Sequence, residues 1–255
     1  MANTPVNHTH HQINGLEKTF YIPDFITPEE EEYLIKKIKE SPQPQWKILS
    51  NRRMYLVGGD MTAKGALIVK PLPHFVNEYP DIISRIKATG AFSSSVHKEP
   101  NHVIMNEYLP GQGIMPHEDG PRYHPVVATL SLGSHTVFHY YQYEKNDYNG
   151  AVSRGVGKTI NTTPVSSILL EPRSLIISSG AMYTSHLHGI EEIKEDVISP
   201  NADLPGVLLS NLNQLRDPLV KSLIEEGTPL RRGIRYSLTF RDVERLSSLS
   251  VVPRR

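Results

Sequence analysis

From Asn101 onward, apolar and polar residues alternate with a period of two, in short β-branched runs separated by glycine and proline. This alternation is typical of β-strands, whose successive side chains point to opposite faces of a sheet. Six runs carry it: HVIMNEYL, VVATLSLG, HTVFHYYQY, VSSILLEP, SLIISSG and IRYSLTFR. Many short strands with turn signals between them predict an antiparallel β-sandwich or barrel.

Two longer segments interrupt these strands. The polar segment from Glu144 to Pro164 is predicted to be a surface loop. The segment from Asp196 to Gly233 contains one predicted helix, in which Asp217 is the N-cap, Pro218 the first helical residue and Gly227 the stop. Insertions of this length in a compact domain are often functional.

The first hundred residues show a different, mixed pattern. An apolar run, FYIPDF, predicts a strand. Thr27 is followed by a proline and two glutamates, a sequence that predicts a capped helix with a solvated Glu/Lys face. A second helix is predicted from Pro80 to Gly90.

These patterns predict one mainly β (α+β) fold. The predicted organisation is a disordered tail over residues 1–15, an α/β N-terminal extension over 16–100, a β core over 101–245 and a C-terminal tail over 246–255. No internal repeat or low-complexity linker divides the chain.

Composition then limits the classes of function. The 27 Lys and Arg residues balance the 27 Asp and Glu residues, which argues against a partner held by bulk charge. The absence of cysteine excludes thiolate metal sites and cysteine nucleophiles, so metal chemistry must use the twelve histidines and the carboxylates. Without a signal peptide or a membrane-length apolar stretch, the sequence predicts a soluble intracellular protein with no membrane partner. The expected compartments are the cytoplasm and nucleus.

A candidate metal site begins at His117-Glu118-Asp119. On an extended backbone, residues two apart share a face, so His117 and Asp119 can offer a nitrogen and an oxygen to one ion. The segment TSHLHG supplies a third donor at either His186 or His188, and spacing alone does not decide between them. Two histidines and one carboxylate form the facial triad of non-haem Fe(II) oxygenases.

The last strand offers an anion site. Its odd positions, Arg235, Ser237, Thr239 and Arg241, share one face, while Tyr236, Leu238 and Phe240 are predicted to pack in the core. Inward-facing guanidiniums are costly unless they meet anions. Arg235 and Arg241 lie about 20 Å apart along the strand, so both can serve one small dicarboxylate only by leaning toward each other. Solvated arginines on an edge strand are the alternative.

Together these motifs resemble the AlkB-type Fe(II)/2-oxoglutarate dioxygenases. The resemblance rests on four motifs in order: Asn106-x-Tyr108, His117-x-Asp119, a distal histidine and the closing RYSLTFR strand. It covers roughly residues 101–241, and NEYLPGQGIMPHEDGP, LLEPRSLIISSGAMY and HLHGI are most similar to the alkB homolog 6 branch.

The resemblance implies a double-stranded β-helix (jelly-roll) core. It assigns His117, Asp119 and His188 as Fe(2+) ligands and catalytic residues, His188 because it directly precedes a glycine. The cosubstrate 2-oxoglutarate would be bound by a second set of residues: Asn106, Tyr108, Arg235, Ser237 and Arg241. Among these, Arg235 would hold the distal carboxylate and Arg241 would lie near the metal, while Ser237 replaces an asparagine of bacterial AlkB-type strands.

The implied reaction uses O2 and 2-oxoglutarate to hydroxylate a C–H bond, usually of an N-methyl group on a nucleobase in DNA or RNA, and releases formaldehyde. Two alternatives remain open at this point. The same chemistry can act on a protein side chain, or the chain can be a catalytically silent, metal-binding β-helix that binds a partner. A monomer is expected.

The only clearly basic stretch runs from Lys47 to Lys70, before the β core. AlkB-like proteins use this region as a lid over the nucleotide substrate, and base-directed enzymes flip the target base into a pocket. Arg52 and Arg53 are the candidate lid residues, whereas an ordinary polar surface is the alternative.

Overall fold

A computed structural model of the chain describes residues 8–144 and 159–248. Most of the predicted Glu144–Pro164 loop lies outside the described residues. The strands in the described part are β1 (Thr19–Ile22), β2 (Lys47–Leu49), β3 (Arg52–Val57), β4 (Gly59–Met61), β5 (Leu67–Val69), β6 (His102–Tyr108), β7 (Ile114–His117), β8 (Val126–Leu132), β9 (Thr136–Tyr141), β10 (Ser166–Leu170), β11 (Leu175–Ser179), β12 (Leu187–Ile190), β13 (Glu195–Asp196), β14 (Ile198–Ser199), β15 (Val207–Leu208), β16 (Leu230–Arg231) and β17 (Arg235–Arg241).

Helices are short and lie mostly outside the β core. The α-helices are α1 (Pro28–Glu40), α2 (His74–Asn77), α3 (Ile82–Ala88), α4 (Ala181–Thr184) and α5 (Pro218–Glu225), and 3-10 turns span His8–His11, Gln43–Gln45 and Leu212–Gln214. Within the described ranges, no helix is both long and apolar enough to cross a membrane.

Two sheets form the core. The larger sheet has the order β1-β11-β8-β17-β6-β3-β2, and the smaller has the order β10-β9-β12-β7. From β6 the chain passes back and forth between them, except that β9 and β10 form a hairpin within one sheet. Strands β6, β8, β11 and β17 lie in the larger sheet, and β7, β9, β10 and β12 lie in the smaller. This is a double-stranded β-helix, so the predicted fold is confirmed.

Side chains along β17 point alternately to the two faces of the larger sheet, and one of these faces packs in the hydrophobic core. Tyr236, Leu238 and Phe240 join the core between the larger sheet and the N-terminal helices, where they meet Leu34 of α1 and Ile86 of α3. The odd-numbered side chains of β17 therefore face the space between the two sheets.

The insertion around α5 covers the other side of the molecule. Val137 and Leu169 of the smaller sheet pack against Leu215, Ile224 and Leu230. The helix begins as predicted, since the Asp217 side chain accepts backbone N–H groups of the first turn and Pro218 follows it. Hydrophobic layers on both outer faces thus hold the two sheets in place around their interior.

The first helix is more deeply involved in tertiary contacts than its charges suggest. Thr27 and Glu30 form a reciprocal capping box. Glu30 also pairs with Arg85, and Glu31 accepts a hydrogen bond from the Gly133 N–H and pairs with Arg173. Both glutamates are buried, which differs from the solvated face predicted for the Glu run, because each carboxylate serves as a cap or an ion-pair partner.

We expect Thr27→Ala to lower the free energy of unfolding by about 1 kcal/mol, because it removes the side-chain acceptor of the N-cap. Urea denaturation followed by circular dichroism measures this change. Thr27→Ser keeps the hydroxyl and is the control, with stability close to wild type. Equal stability of the alanine and serine variants would contradict a role for the cap.

Ordered structure begins before residue 16. Ile13 lies inside the segment predicted as a disordered tail, yet it is fully buried beside Tyr21 and Tyr140. Its N–H also donates to the Thr19 carbonyl. A single apolar residue in a polar segment has no periodicity, so its burial depends on the strand β1 that follows.

Candidate active site

The two sheets bring three predicted ligands together at one end of their interior. His117 ends β7, Asp119 follows two residues later, and His188 lies on β12, directly opposite His117 in the strand register. One ligand atom from each of the three residues lies within 4.8 Å of the others. These atoms belong to residues about seventy positions apart, so the fold itself assembles the cluster.

Glycine allows β7 and β12 to approach closely enough. A Cβ atom on Gly189 would lie 3.0 Å from the Ile114 carbonyl oxygen and 3.1 Å from the Pro116 nitrogen. Any larger residue would therefore push β12 away from β7. The glycine after His188 thus has a physical role: it lets the His188 ring reach His117, with 4.4 Å between the ring centroids.

Both imidazoles are held in defined orientations. The Nδ1 of His117 lies 2.9 Å from the Met115 carbonyl oxygen and donates to it, which leaves Nε2 free for a ligand. Phe138 stacks on His188 with 5.3 Å between ring centroids. Burial lowers the pKa of His188 to about 4 and also lowers that of His117. Both rings are therefore neutral near pH 7, the form that binds a metal ion.

Asp119 supplies the negative charge of the cluster. Burial alone would raise the pKa of its carboxyl, but the Arg241 guanidinium, together with the two imidazoles once they are protonated at low pH, outweighs burial and lowers it. Its Oδ1 accepts a 2.5 Å hydrogen bond from Arg241 and lies 3.6 Å from His188 Nε2. Its Oδ2 is buried without a hydrogen-bond partner, a cost that a bound cation would remove. Two neutral imidazoles beside this carboxylate fit a divalent metal ion.

The alternative histidine lies elsewhere. His186 Nδ1 donates to the Ala181 carbonyl oxygen at 2.9 Å, and its Nε2 accepts from the Gln142 side-chain amide at 2.7 Å. Both ring nitrogens of His186 are therefore engaged outside the cluster. The structure places His188, and not His186, beside His117 and Asp119.

Next to this cluster the sheets enclose a space that we call the central cavity, with a volume of about 70 Å³. The predicted cosubstrate residues all line it, together with Thr239: Asn106, Tyr108, Arg235, Ser237 and Arg241. Asn106 faces Ser237, and Tyr108 faces Arg235, as direct partners in the antiparallel register of β6 and β17. Polar groups from two neighbouring strands thus converge on one small cavity.

Arg235 is the most unusual residue of this cavity. It is only 4% exposed, and burial lowers its pKa to about 10. Its guanidinium donates to Ser131 Oγ at 2.9 Å and lies 5.5 Å from the Tyr108 ring centroid, but its Nε has no hydrogen-bond partner. No carboxylate is paired with it among the contacts of the described residues. A buried, incompletely paired cation is costly, so this site fits an anionic ligand.

The two arginines of β17 serve different ends of the cavity. At about 3.3 Å per residue, the six-residue separation of Arg235 and Arg241 corresponds to about 20 Å along the strand. Arg241 reaches Asp119 and lies over the Tyr123 ring, 4.7 Å from its centroid. Arg241 therefore stays at the metal-ligand end, and Arg235 defines the far end.

The candidate lid arginines point to opposite faces of β3. Arg53 makes a bidentate pair with Glu107, with two distances of 2.7 Å, and stacks on Trp46 on the outer face. Arg52 instead donates to the Oδ1 of Asn106, a residue of the central cavity, at 3.2 Å. Period-two alternation thus separates two neighbours that the sequence groups together.

Several residues of the site were missed by sequence reasoning. Ser131 contacts Arg235 from β8, and Phe138 supports His188 from β9. Tyr183 of α4 lines the cavity and donates to the Gly120 carbonyl oxygen at 3.3 Å. The alternation in VVATLSLG places Thr129 and Ser131 on one face of a strand, and this pattern could have identified Ser131 as a site residue. No local pattern marked Tyr183.

Comparisons with known proteins agree with this geometry. A model of the 2OG-Fe(II) oxygenase superfamily matches residues 18–241. The chain is 39% identical over 227 residues to the probable RNA/DNA demethylase ALKBH6 of Danio rerio, covering 89% of this chain and 86% of that protein. It is 28% identical over 227 residues to the tRNA (carboxymethyluridine(34)-5-O)-methyltransferase alkbh8 of Xenopus tropicalis, covering 87% of this chain but only 31% of that protein.

A solved structure shows the same fold. The structure of OsALKBH1 matches with a TM-score of 0.50 at 15% sequence identity, covering 88% of this chain and 98% of that chain. At this identity the likeness concerns the arrangement of strands and not the choice of substrate.

Proposed function

The chain belongs to the 2OG-Fe(II) oxygenase superfamily as an AlkB-like Fe(II)- and 2-oxoglutarate-dependent dioxygenase, and we propose that it oxidatively demethylates an alkylated nucleobase in DNA or RNA. One observation carries the proposal. A His-Asp-His cluster with an unpartnered carboxylate oxygen and a buried, incompletely paired arginine meet in the same cavity. A metal ion would complete the cluster, and a dicarboxylate would pair with the arginine.

The residues divide into two groups in this proposal. His117, Asp119 and His188 would hold Fe(II), leaving open positions for cosubstrate and O2. Bound Fe(II), with 2-oxoglutarate and O2, supplies the oxidation that yields succinate and CO2 and inserts one oxygen atom into a substrate C–H bond. On an N-methyl group the product is a hydroxymethyl group, which is lost as formaldehyde.

The remaining polar residues would orient the cosubstrate. Arg235 would pair with the distal carboxylate, because a guanidinium presents two parallel N–H donors to a carboxylate. Asn106, Tyr108 and Ser237 line the space between Arg235 and the metal ligands. Arg241 would keep Asp119 ionised and fixed, since it already donates to Oδ1 of that carboxylate.

Support for a nucleic-acid substrate comes from the relatives and from local charge. The Danio rerio relative is a probable RNA/DNA demethylase, and the chain matches it over most of both lengths. Lys64 and Arg122 are both exposed, and Gly65, which follows Lys64, lies against the Arg122 side chain. These cations provide a local basic surface that the balanced net charge does not reveal.

We expect the Fe(II)-loaded protein to form succinate from 2-oxoglutarate, faster with methylated single-stranded DNA or RNA than with the unmethylated strands. Formaldehyde should appear in equal amount with the demethylated base. The Asp119→Ala variant is the control and should form neither product.

Methyl-lysine peptides test the main alternative substrate class. Stimulation by peptides alone would reject the nucleobase and keep the dioxygenase. Absence of both turnover and 2-oxoglutarate binding in the wild-type protein would reject the enzyme itself.

A further inference from the structure

A chain of hydrogen bonds outside the cavity ends on one of its walls. It begins at Glu192, which follows β12, and passes to Asn51 at the tip of the β2–β3 hairpin, with Asn51 Nδ2 donating to Glu192 Oε1 at 3.1 Å. Arg52 Nη1 donates to Asn51 Oδ1 at 3.0 Å, and Arg52 Nε donates to Asn106 Oδ1 at 3.2 Å. The chain therefore links the end of the smaller sheet to a cavity residue of the larger sheet.

The direction of each bond in this chain is determined by chemistry. A guanidinium only donates, so both amides must turn their carbonyl oxygens toward Arg52. The other end of Asn51 then presents its NH2 group to Glu192, whose carboxylate only accepts. The other end of Asn106 is likewise an NH2 group, on a residue that lines the central cavity.

We infer that Arg52 is a positioning residue that holds the Asn106 amide with its NH2 group directed at the cosubstrate, and that Asn51 and Glu192 brace Arg52 in turn. The inference rests on the proposed function, because it takes 2-oxoglutarate as the ligand of the cavity. A carboxylate or keto oxygen accepts hydrogen bonds, so a reversed amide would present an acceptor to an acceptor. The Arg52 contact removes that unfavourable orientation before the ligand arrives.

Only one of the two adjacent arginines contacts a residue of the cavity. Arg53 is directed to the outer face by strand alternation and is bound there by Glu107 and Trp46. Arg52 lies on the same face of β3 as Met54, which is the direct register partner of Asn106. The two arginines therefore provide a matched pair for an experiment.

The test is a double-mutant cycle on the dissociation constant of 2-oxoglutarate, measured by calorimetry on Mn(II)-loaded protein under nitrogen. We expect Arg52→Ala to weaken binding about tenfold, or about 1.4 kcal/mol. In an Asn106→Ala background the same change should weaken binding less than about twofold, because Arg52 acts through Asn106. Arg52→Lys should restore part of the affinity, and Arg53→Ala, the control, should bind as wild type does.

Unchanged binding by Arg52→Ala, or an equal loss with and without Asn106, would overturn the inference. Should Arg52→Ala not fold, Asn51→Ala at the hairpin tip replaces it, with a loss of about threefold expected from the weakened brace. Unchanged affinity of Asn51→Ala for 2-oxoglutarate would also reject the proposed chain of hydrogen bonds. Failure of the unmodified protein to bind 2-oxoglutarate would instead reject the proposed function, and the inference with it.

Discussion

Replacing His188 with alanine is expected to lower the affinity for a divalent metal ion by at least about 100-fold. Even the outer partners of metal ligands typically change affinity 10- to 100-fold, and His188 is the proposed direct ligand. The change leaves two donors and an ionised Asp119 whose Oδ2 has no partner. Electron paramagnetic resonance of free Mn(II) in a titration measures the effect.

His186→Ala is the matched control for this experiment. His186 lies two residues away, but its two nitrogens are occupied by Ala181 and Gln142. We expect its removal to leave the metal affinity within about twofold of wild type, because no ligand is lost. Loss of metal binding in His186→Ala, with binding kept in His188→Ala, would show that the other histidine is the ligand.

Spacing in the sequence could not show which of these two histidines lies beside His117 and Asp119. Both lie on one face of an extended segment, so alternation treats them alike. The resemblance to AlkB-type enzymes singled out His188 through the glycine after it, and the structure gives the reason: a Cβ atom at position 189 would lie only about 3 Å from the backbone of β7, so glycine allows the close approach.

The strands that carry His117 and His188 were the hardest part of the fold to predict. Alternation indicated β6, β8, β9, β10, β11 and β17, and each of these strands is present. In contrast, β7 and β12 have four residues each and are interrupted by Pro116 and Gly189. Proline and glycine weaken a strand pattern, yet here they belong to the close approach that forms the site.

Residues on the inner face of β17 could be predicted because one local rule governs them. Alternation placed Arg235, Ser237 and Arg241 on a single face, and all three line the cavity. Their partners could not be predicted in this way. Ser131 is 104 positions from Arg235, and Arg52 is 54 positions from Asn106, so only the strand register brings them into contact.

Arg235 destabilises the free protein but is suited to bind an anionic ligand. A buried guanidinium with one hydroxyl partner and an unpartnered Nε opposes folding, because the ion loses its hydration without a matching carboxylate. Its lowered pKa, about 10, reflects the same burial. A bound dicarboxylate would supply the missing charge, so the residue should favour the complex at the expense of the free protein.

We therefore expect Arg235→Met to weaken 2-oxoglutarate binding at least about 100-fold, or about 3 kcal/mol, while leaving the unfolding free energy without cosubstrate unchanged or higher. Methionine fills a similar volume without a charge to bury, whereas Arg235→Lys keeps a point charge but loses the forked donor and should bind with intermediate affinity. Calorimetry on Mn(II)-loaded protein and urea denaturation measure the two quantities. Arg231→Met, whose side chain is 88% exposed, is the control and should change neither. An Arg235 variant that loses stability but keeps its affinity for 2-oxoglutarate would assign this residue to packing. A cation that serves the ligand is instead expected to change the affinity without stabilising the free protein.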